Sequence, residues 1–171
     1  GQPPVLRGRP LEQPDGGARD LQAPAEDLSA MLRLGGTLGS GMGVTEAECD
    51  ALYQLGHGLY EQGRYSDAFK AFSMLVIYDH LEPRYLMALG GAQQMLSRYQ
   101  DALLQYGAAA LIRLDDPRPV FHSAECLIAM GQLPEAVESL DLALTLCEDE
   151  THAALRARAE ALRQALQTKM Q

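Results

Sequence analysis

The sequence has little of what membrane-spanning, disulfide-bonded or nucleic-acid-binding proteins need. No apolar run in its 171 residues is long enough to cross a bilayer. Cys49, Cys126 and Cys147 are widely spaced and form no Cys-x-x-Cys pair, so we expect reduced thiols in a cytosolic protein. Basic residues number 14 against 23 acidic ones, which gives a formal net charge of −9. An acidic chain argues against direct binding of nucleic acid.

The first 45 residues differ in composition from the rest of the chain. Residues 1–23 are rich in Pro, Gly, Arg and Gln, which predicts a flexible tail. No signal peptide is expected there, and a start at Gly rather than Met predicts a trimmed start or a cloning remnant. Residues 24–34 have the apolar spacing of a short helix, and the Gly-rich stretch 35–43 is interpreted as a hinge. A phosphate-binding loop is disfavoured for that stretch because no strand precedes it and no Lys ends it.

From residue 46 onward the sequence overlays on itself when it is shifted by 34 residues. The matches include Gly-Arg-Tyr at 63–65 with Ser-Arg-Tyr at 97–99 and Gly-Gln-Leu at 131–133. No insertion or deletion breaks this register over three units. A fixed 34-residue period with these residue types is typical of the tetratricopeptide repeat, a pair of antiparallel helices A and B.

The residue types fit that architecture. Small residues lie where helix A approaches helix B of the same repeat, and a bulky residue follows where repeats meet. A capping box formed by Thr45 and Glu48 predicts the start of the first helix. The pattern predicts six repeat helices at about 46–62, 66–79, 83–96, 100–113, 117–130 and 134–147, followed by a helix over 151–167.

We therefore predict an all-α fold with three tetratricopeptide repeats in a short superhelical solenoid. An N-terminal helix precedes the repeats, and a C-terminal helix caps their last apolar face. The predicted divisions are a tail over 1–23, the N-terminal helix and hinge over 24–45, the repeats over 46–150, and the capping helix with its tail over 151–171.

No set of residues indicates catalysis, a metal or another cofactor, so we expect a protein that is not an enzyme. His122 and Cys126 share a helix face, but a metal site needs more ligands than these two. The four histidines form no His-x-x-x-His pair.

A peptide-binding surface is better supported, because stacked repeats form a concave face lined by the A helices. Positions 2, 5, 9 and 12 of each repeat are expected on that inner face. They are Asp50, Tyr53, His57 and Tyr60, then Arg84, Met87, Gly91 and Gln94, then Arg118, Phe121, Glu125 and Ile128. Exposed apolar residues in a groove suggest an extended peptide with small apolar anchors. Packing between helices is the alternative for each aromatic residue.

One kind of peptide is disfavoured. Carboxylate-clamp repeat domains, which bind the acidic C-termini of heat-shock chaperones, have Lys and Asn at positions 5 and 9 of the first repeat. This sequence has Tyr53 and His57 there. A groove without the clamp, in an acidic protein, does not favour acidic peptide tails.

Several stretches between about residues 28 and 165 resemble the class II chaperones of bacterial type III secretion. They are GGTL at 35–38, ALYQLG at 51–56, YDH at 78–80, PRY at 83–85, DPR at 116–118 and FHSAEC at 121–126. The last two are far more particular than the general repeat consensus.

The resemblance implies a bacterial cytosolic chaperone that binds an extended segment of a hydrophobic translocator in its groove. It implies that the client stays soluble and unassembled until export, and that the chain forms a homodimer through its N-terminal helix. Tyr53 and Tyr60 match the family's groove aromatics, with His57 at a place where an aromatic is common. Phe121 and Glu125 match the contribution of the third repeat.

Other interpretations stay open. A general repeat scaffold that joins two folded proteins, or a transcriptional co-regulator of secretion genes, would use the same fold. Family clients offer a Pro-flanked, Leu-centred peptide, and the tail carries similar stretches at 4–6 and 10–14. The tail is therefore a candidate placeholder for a neighbour's groove, with a disordered tail as the alternative.

Overall fold

Seven α-helices follow one another in the part of the chain that the structure covers. A computed structural model of the protein describes Arg33, which is helical, and residues 43–171. The expectations for the tail, for the rest of the N-terminal helix and for most of the hinge lie outside these residues. The helices are α1 (Glu46–Glu61), α2 (Tyr65–Tyr78), α3 (Pro83–Met95), α4 (Tyr99–Ile112), α5 (Pro117–Ala129), α6 (Leu133–Leu146) and α7 (Ala153–Met170).

The all-α prediction is confirmed, and each of the six repeat helices begins and ends within one residue of its predicted bounds. The odd-numbered helices α1, α3 and α5 are the A helices, and α2, α4 and α6 are the B helices. The last helix begins two residues later than predicted, because a short 3₁₀ turn at Glu150–His152 precedes it, and it ends three residues later. The division of the chain into units remains a prediction.

Side chains at the helix starts explain why the A helices begin where they do. Thr45 accepts a hydrogen bond from the Glu48 backbone N–H, and Glu48 accepts one from the Thr45 backbone N–H. Asp116 caps α5 in the same way and binds Arg118 at 2.7 Å. Burial raises the pKa of Asp116, but the hydrogen bonds from Arg118 outweigh it and hold that pKa below its usual value.

The turn from helix A to helix B has the same geometry in all three repeats. Gly63 and Gly131 have φ of 77°, and Ser97 occupies the equivalent place with φ of 60°. The following backbone N–H bonds back into the preceding helix, as Arg64 does to the Leu59 carbonyl at 2.9 Å. The left-handed conformation is ordinary for Gly and costs Ser about 1–2 kcal/mol.

The two helices of each repeat pack closely because helix A carries a small residue opposite a bulky residue of helix B. A methyl group added at Gly90 would lie 2.7 Å from the Tyr106 ring, and one added at Gly56 would overlap the Phe72 ring. Both rings are fully buried. The third repeat pairs Ala124 with the smaller Leu140 at the equivalent positions, so the two volumes vary together along the chain.

The three cysteines are free thiols at 0–4% exposure. Burial raises the pKa of each of them, that of Cys126 to about 12. Because the thiolate is the reactive form, we expect almost no reaction with Ellman's reagent in native buffer at pH 8 and reaction of all three thiols in strong denaturant. Rapid labelling of the folded protein, with helical circular dichroism unchanged, would contradict this burial.

Candidate functional site

Aromatic rings from the first and second repeats meet around Tyr53 of α1. Its ring centroid lies 4.4 Å from that of His57 and 5.8 Å from that of Tyr85 on α3. The guanidinium carbon of Arg84 lies 5.6 Å from the centroid of the Tyr53 ring. Arg84 also binds Glu82 at 2.8 Å, and that hydrogen bond raises the pKa of Arg84. The structure thus brings together three residues that the sequence predicts for the groove.

Tyr60 lies near the other end of α1, one helical turn beyond His57. Its ring packs edge-on against that of Tyr65, with the centroids 5.1 Å apart. Tyr65 begins α2, just after the turn between the two helices. Tyr60 is therefore held in place by the turn of its own repeat.

Most of the predicted groove side chains are more buried than the sequence pattern predicts. Tyr53 is 5% exposed, Tyr60 is 8% exposed, and Phe121 is fully buried. Seven of the nine predicted site residues are buried, while Gln94 is half-buried and Arg84 is exposed. The buried ones are Tyr53, His57, Tyr60, Met87, Gly91, Phe121 and Glu125. Their periodicity placed them on one face but carried no information about how deeply neighbouring helices cover that face.

A network of buried polar groups joins the second and third repeats. Glu125 Oε1 lies 2.5 Å from His122 Nδ1, and both side chains are at most 4% exposed. Gln94 Nε2 donates to the same oxygen at 3.3 Å, and the Tyr106 hydroxyl donates to Gln94 Oε1 at 2.8 Å. Burial raises the pKa of Tyr106, so its hydroxyl stays a neutral donor. Gln94 and Glu125 are residues that the sequence predicts for the groove, whereas Tyr106 and His122 are not.

Arg158 of α7 reaches the same place from the capping helix. Its guanidinium carbon lies 4.8 Å from the centroid of the Phe121 ring, and its Nη2 lies 3.7 Å from Glu125 Oε2. In the sequence, the apolar residues of this helix at 155, 159, 162 and 166 form one stripe, and Arg158 lies on the flank of that stripe. The repeat gave no signal for this contact, because a further shift by 34 residues matches position 158 with Ala124, where helix B packs, and not with Phe121 or Glu125.

In chain order α7 follows α6 as a fourth helix A would, and it packs mainly on α6. The positions equivalent to 158 in the three repeats are Gly56, Gly90 and Ala124, which must be small because a helix B packs there. In the part of the chain that the structure describes, no helix B packs on α7 at this point, so a long side chain fits at position 158.

Neither a cluster of metal ligands nor a membrane-spanning helix is found in the described residues. Among Arg33 and residues 43–171, no three His, Cys, Asp or Glu side chains lie close enough together to hold a metal ion. Over the same residues, no helix combines the length and the apolar content required to cross a membrane.

Comparisons with known proteins agree with this geometry. The tetratricopeptide repeat family matches residues 49–80. The low calcium response locus protein H of Yersinia pestis is 34% identical over 77% of this chain and 79% of its own length. The chain belongs to the class II translocator chaperones of type III secretion.

Two solved structures of that family superpose on this chain. PcrH of Pseudomonas aeruginosa, in complex with the chaperone-binding region of PopD, has a TM-score of 0.73 and 36% identity. It covers 75% of this chain, and 98% of its own chain is matched. SycD of Yersinia enterocolitica, in complex with a peptide of the translocator YopD, has a TM-score of 0.71 and 32% identity over 74% of this chain and 98% of its own.

Proposed function

We propose that this protein is a bacterial cytosolic chaperone that binds an extended segment of a hydrophobic translocator along its A helices. Membership of the translocator chaperone family carries the proposal, together with the solved complexes of two members with translocator segments. The client is held soluble and unassembled until it is secreted. No chemical step is needed, and the protein acts without catalysis.

The physical basis of the proposed activity is mass action. A ligand that binds one state of a client lowers the concentration of every other state, including those that aggregate or insert into membranes. An extended client segment loses conformational entropy when it is ordered on the chaperone, which limits the affinity and keeps release feasible.

The inner face supplies rigid contacts for such a segment. Tyr53, His57 and Tyr85 form a packed group of rings whose positions are set before binding, so little side-chain entropy is lost there. Tyr53 and Tyr60 are 5% and 8% exposed, and these small exposed parts are what the two rings offer to a client segment. We include dimerisation through residues 24–45 in the proposal, since SycD has been solved as a dimer.

The test is a pull-down of translocators from the native bacterium with wild-type protein and with a Tyr53→Ala/Tyr60→Ala double variant. Truncating two buried aromatic contacts is expected to weaken client binding at least ten-fold. Tyr78→Ala is the matched control, because Tyr78 is 48% exposed at the end of a B helix. This variant should bind the client as well as wild type does. Circular dichroism confirms that each variant is folded.

Two outcomes would contradict the proposal. Recovery of only soluble folded partners, equally by wild type and double variant, would favour a general repeat scaffold. Recovery of a DNA-binding protein in place of a translocator would favour transcriptional co-regulation.

A further inference from the structure

We propose that Arg158 determines client specificity at the third-repeat end of the inner face, where it requires an oxygen acceptor from the bound segment. The inference rests on the proposed function, because it concerns the same surface. At the third-repeat end of the inner face, the client would then meet the hydrogen-bonding guanidinium of Arg158 and not an apolar pocket formed by Phe121.

Phe121 does not offer an apolar pocket in this structure. Its side chain is fully buried, and the guanidinium of Arg158 lies over its ring at 4.8 Å. A cation over an aromatic face is attracted by the electron density of the ring. A segment bound along the A helices therefore meets Arg158 before it meets Phe121.

Glu125 leaves the N–H groups of the neighbouring guanidinium available. Glu125 is 1% exposed, and its Oε1 is bound by His122 and Gln94. Its Oε2 has no hydrogen-bond partner and lies 3.7 Å from Arg158 Nη2, which is beyond hydrogen-bond distance. The buried carboxyl group thus lies beside the guanidinium without accepting a hydrogen bond from any of its five donors.

Arg158 is also accessible enough to bind a ligand. Its side chain is 40% exposed, and it makes no hydrogen bond to any residue that the structure describes. The two arginines that the sequence predicts for the inner face differ from Arg158, because Arg84 donates to Glu82 and Arg118 donates to Asp116. Within a chain of net charge −9, Arg158 is thus a positive site suited to a carboxylate or a backbone carbonyl of the client.

The test uses the chaperone-binding region of PopD and the YopD peptide as probes in calorimetric titrations with the full chain. Arg158→Met keeps an unbranched side chain over Phe121 and removes the charge, and it should weaken binding roughly ten-fold. Arg158→Lys should retain part of the affinity. Arg156→Met is the matched control on the same helix and should bind as wild type does.

A charge exchange separates recognition from a structural role and identifies the acceptor. If Arg158→Glu loses affinity and regains it when one acidic residue of the probe becomes Lys, the acceptor is a client carboxylate. If Arg158→Met weakens binding but no acidic residue of the probe matters, the acceptor is a backbone carbonyl. Both results support the inference.

The failures are distinguishable. Equal affinity of Arg158→Met and wild type, with binding still lost in Tyr53→Ala/Tyr60→Ala, would overturn the role of Arg158 alone. The role of Arg158 would also be overturned if Arg158→Met lost affinity only in proportion to a fall in its thermal unfolding temperature and Arg156→Met lost affinity to the same degree. Failure of the wild-type chain to bind either probe would count against the proposed function and this inference together.

Discussion

Replacing Gly56 by Ala is expected to lower the free energy of unfolding by about 1–3 kcal/mol, the usual cost of overpacking a core. The added methyl group would overlap the ring of Phe72, which is fully buried. Alanine favours a helix over glycine by up to about 1 kcal/mol, which offsets part of the loss. Urea unfolding followed by circular dichroism measures the net effect.

A second substitution should relieve the clash. The third repeat already pairs Ala124 with Leu140, so Gly56→Ala with Phe72→Leu recreates in the first repeat a combination that the chain uses elsewhere. The loss of stability in the double variant is expected to be smaller than the sum of the losses in the two single variants. The difference, which is the coupling energy, should be about 1 kcal/mol or more. Strictly additive losses would show that the two positions do not constrain each other.

The control lies in helix α4. A methyl group at Gly107 would meet no atom within 4 Å, so Gly107→Ala gains helix propensity without a clash. Its stability should rise by about 0.5–1 kcal/mol. If Gly56→Ala were stabilising to the same degree, close packing at Gly56 would be ruled out as the reason for its small size.

Replacing His122 by Phe is expected to cost up to about 3 kcal/mol of stability, although the core loses little volume, because it leaves a buried carboxyl group without its hydrogen-bond partner. The Phe ring can keep the ring contacts with Tyr106 and Phe121. Glu125, however, loses its 2.5 Å hydrogen bond while it remains buried at 1% exposure. Removing one partner of such a pair costs more than the pair contributes, because the remaining group stays desolvated. Urea unfolding measures the loss.

Removing both partners should recover most of that loss. In His122→Phe/Glu125→Leu, no carboxylate remains buried, and the residual cost is about 1 kcal/mol for the hydrogen bond that Gln94 no longer makes. His80→Phe is the control, because His80 is exposed and lies outside the network, and this variant should leave the urea midpoint unchanged. A double variant no more stable than His122→Phe would mean that the network is not the origin of the loss.

Much of the fold could be predicted from the sequence, because the same residue types recur at equivalent positions in three repeats. The shifted matches placed six helices within one residue, and the capping box of Thr45 and Glu48 placed the first helix start. The small residues at Gly56 and Gly90 indicated close helix contacts, which the ring positions of Phe72 and Tyr106 confirm. Each of these features depends on residues close in sequence or related by the repeat.

The burial of the candidate site residues and their contacts between repeats could not be predicted, because the periodicity of a sequence does not encode them. The pattern put Tyr53 on the inner face but did not show that Tyr85 and Arg84 cover it. It put Arg158 on a helix flank but did not show that this side chain extends to Phe121. Ser97 was matched to two glycines by register, while its positive φ is visible only in the structure.

Contacts between the described helices run almost entirely from each helix to the next, with α1 and α3 as the main exception. Such a stack has no long-range contact that ties its two ends together, so cooperativity is passed on from neighbour to neighbour. The last helix, α7, packs mainly on α6 and is expected to exchange its amide hydrogens first, before the interior repeats open. An unfoldase that starts at the carboxyl end could therefore dismantle the protein one helix at a time.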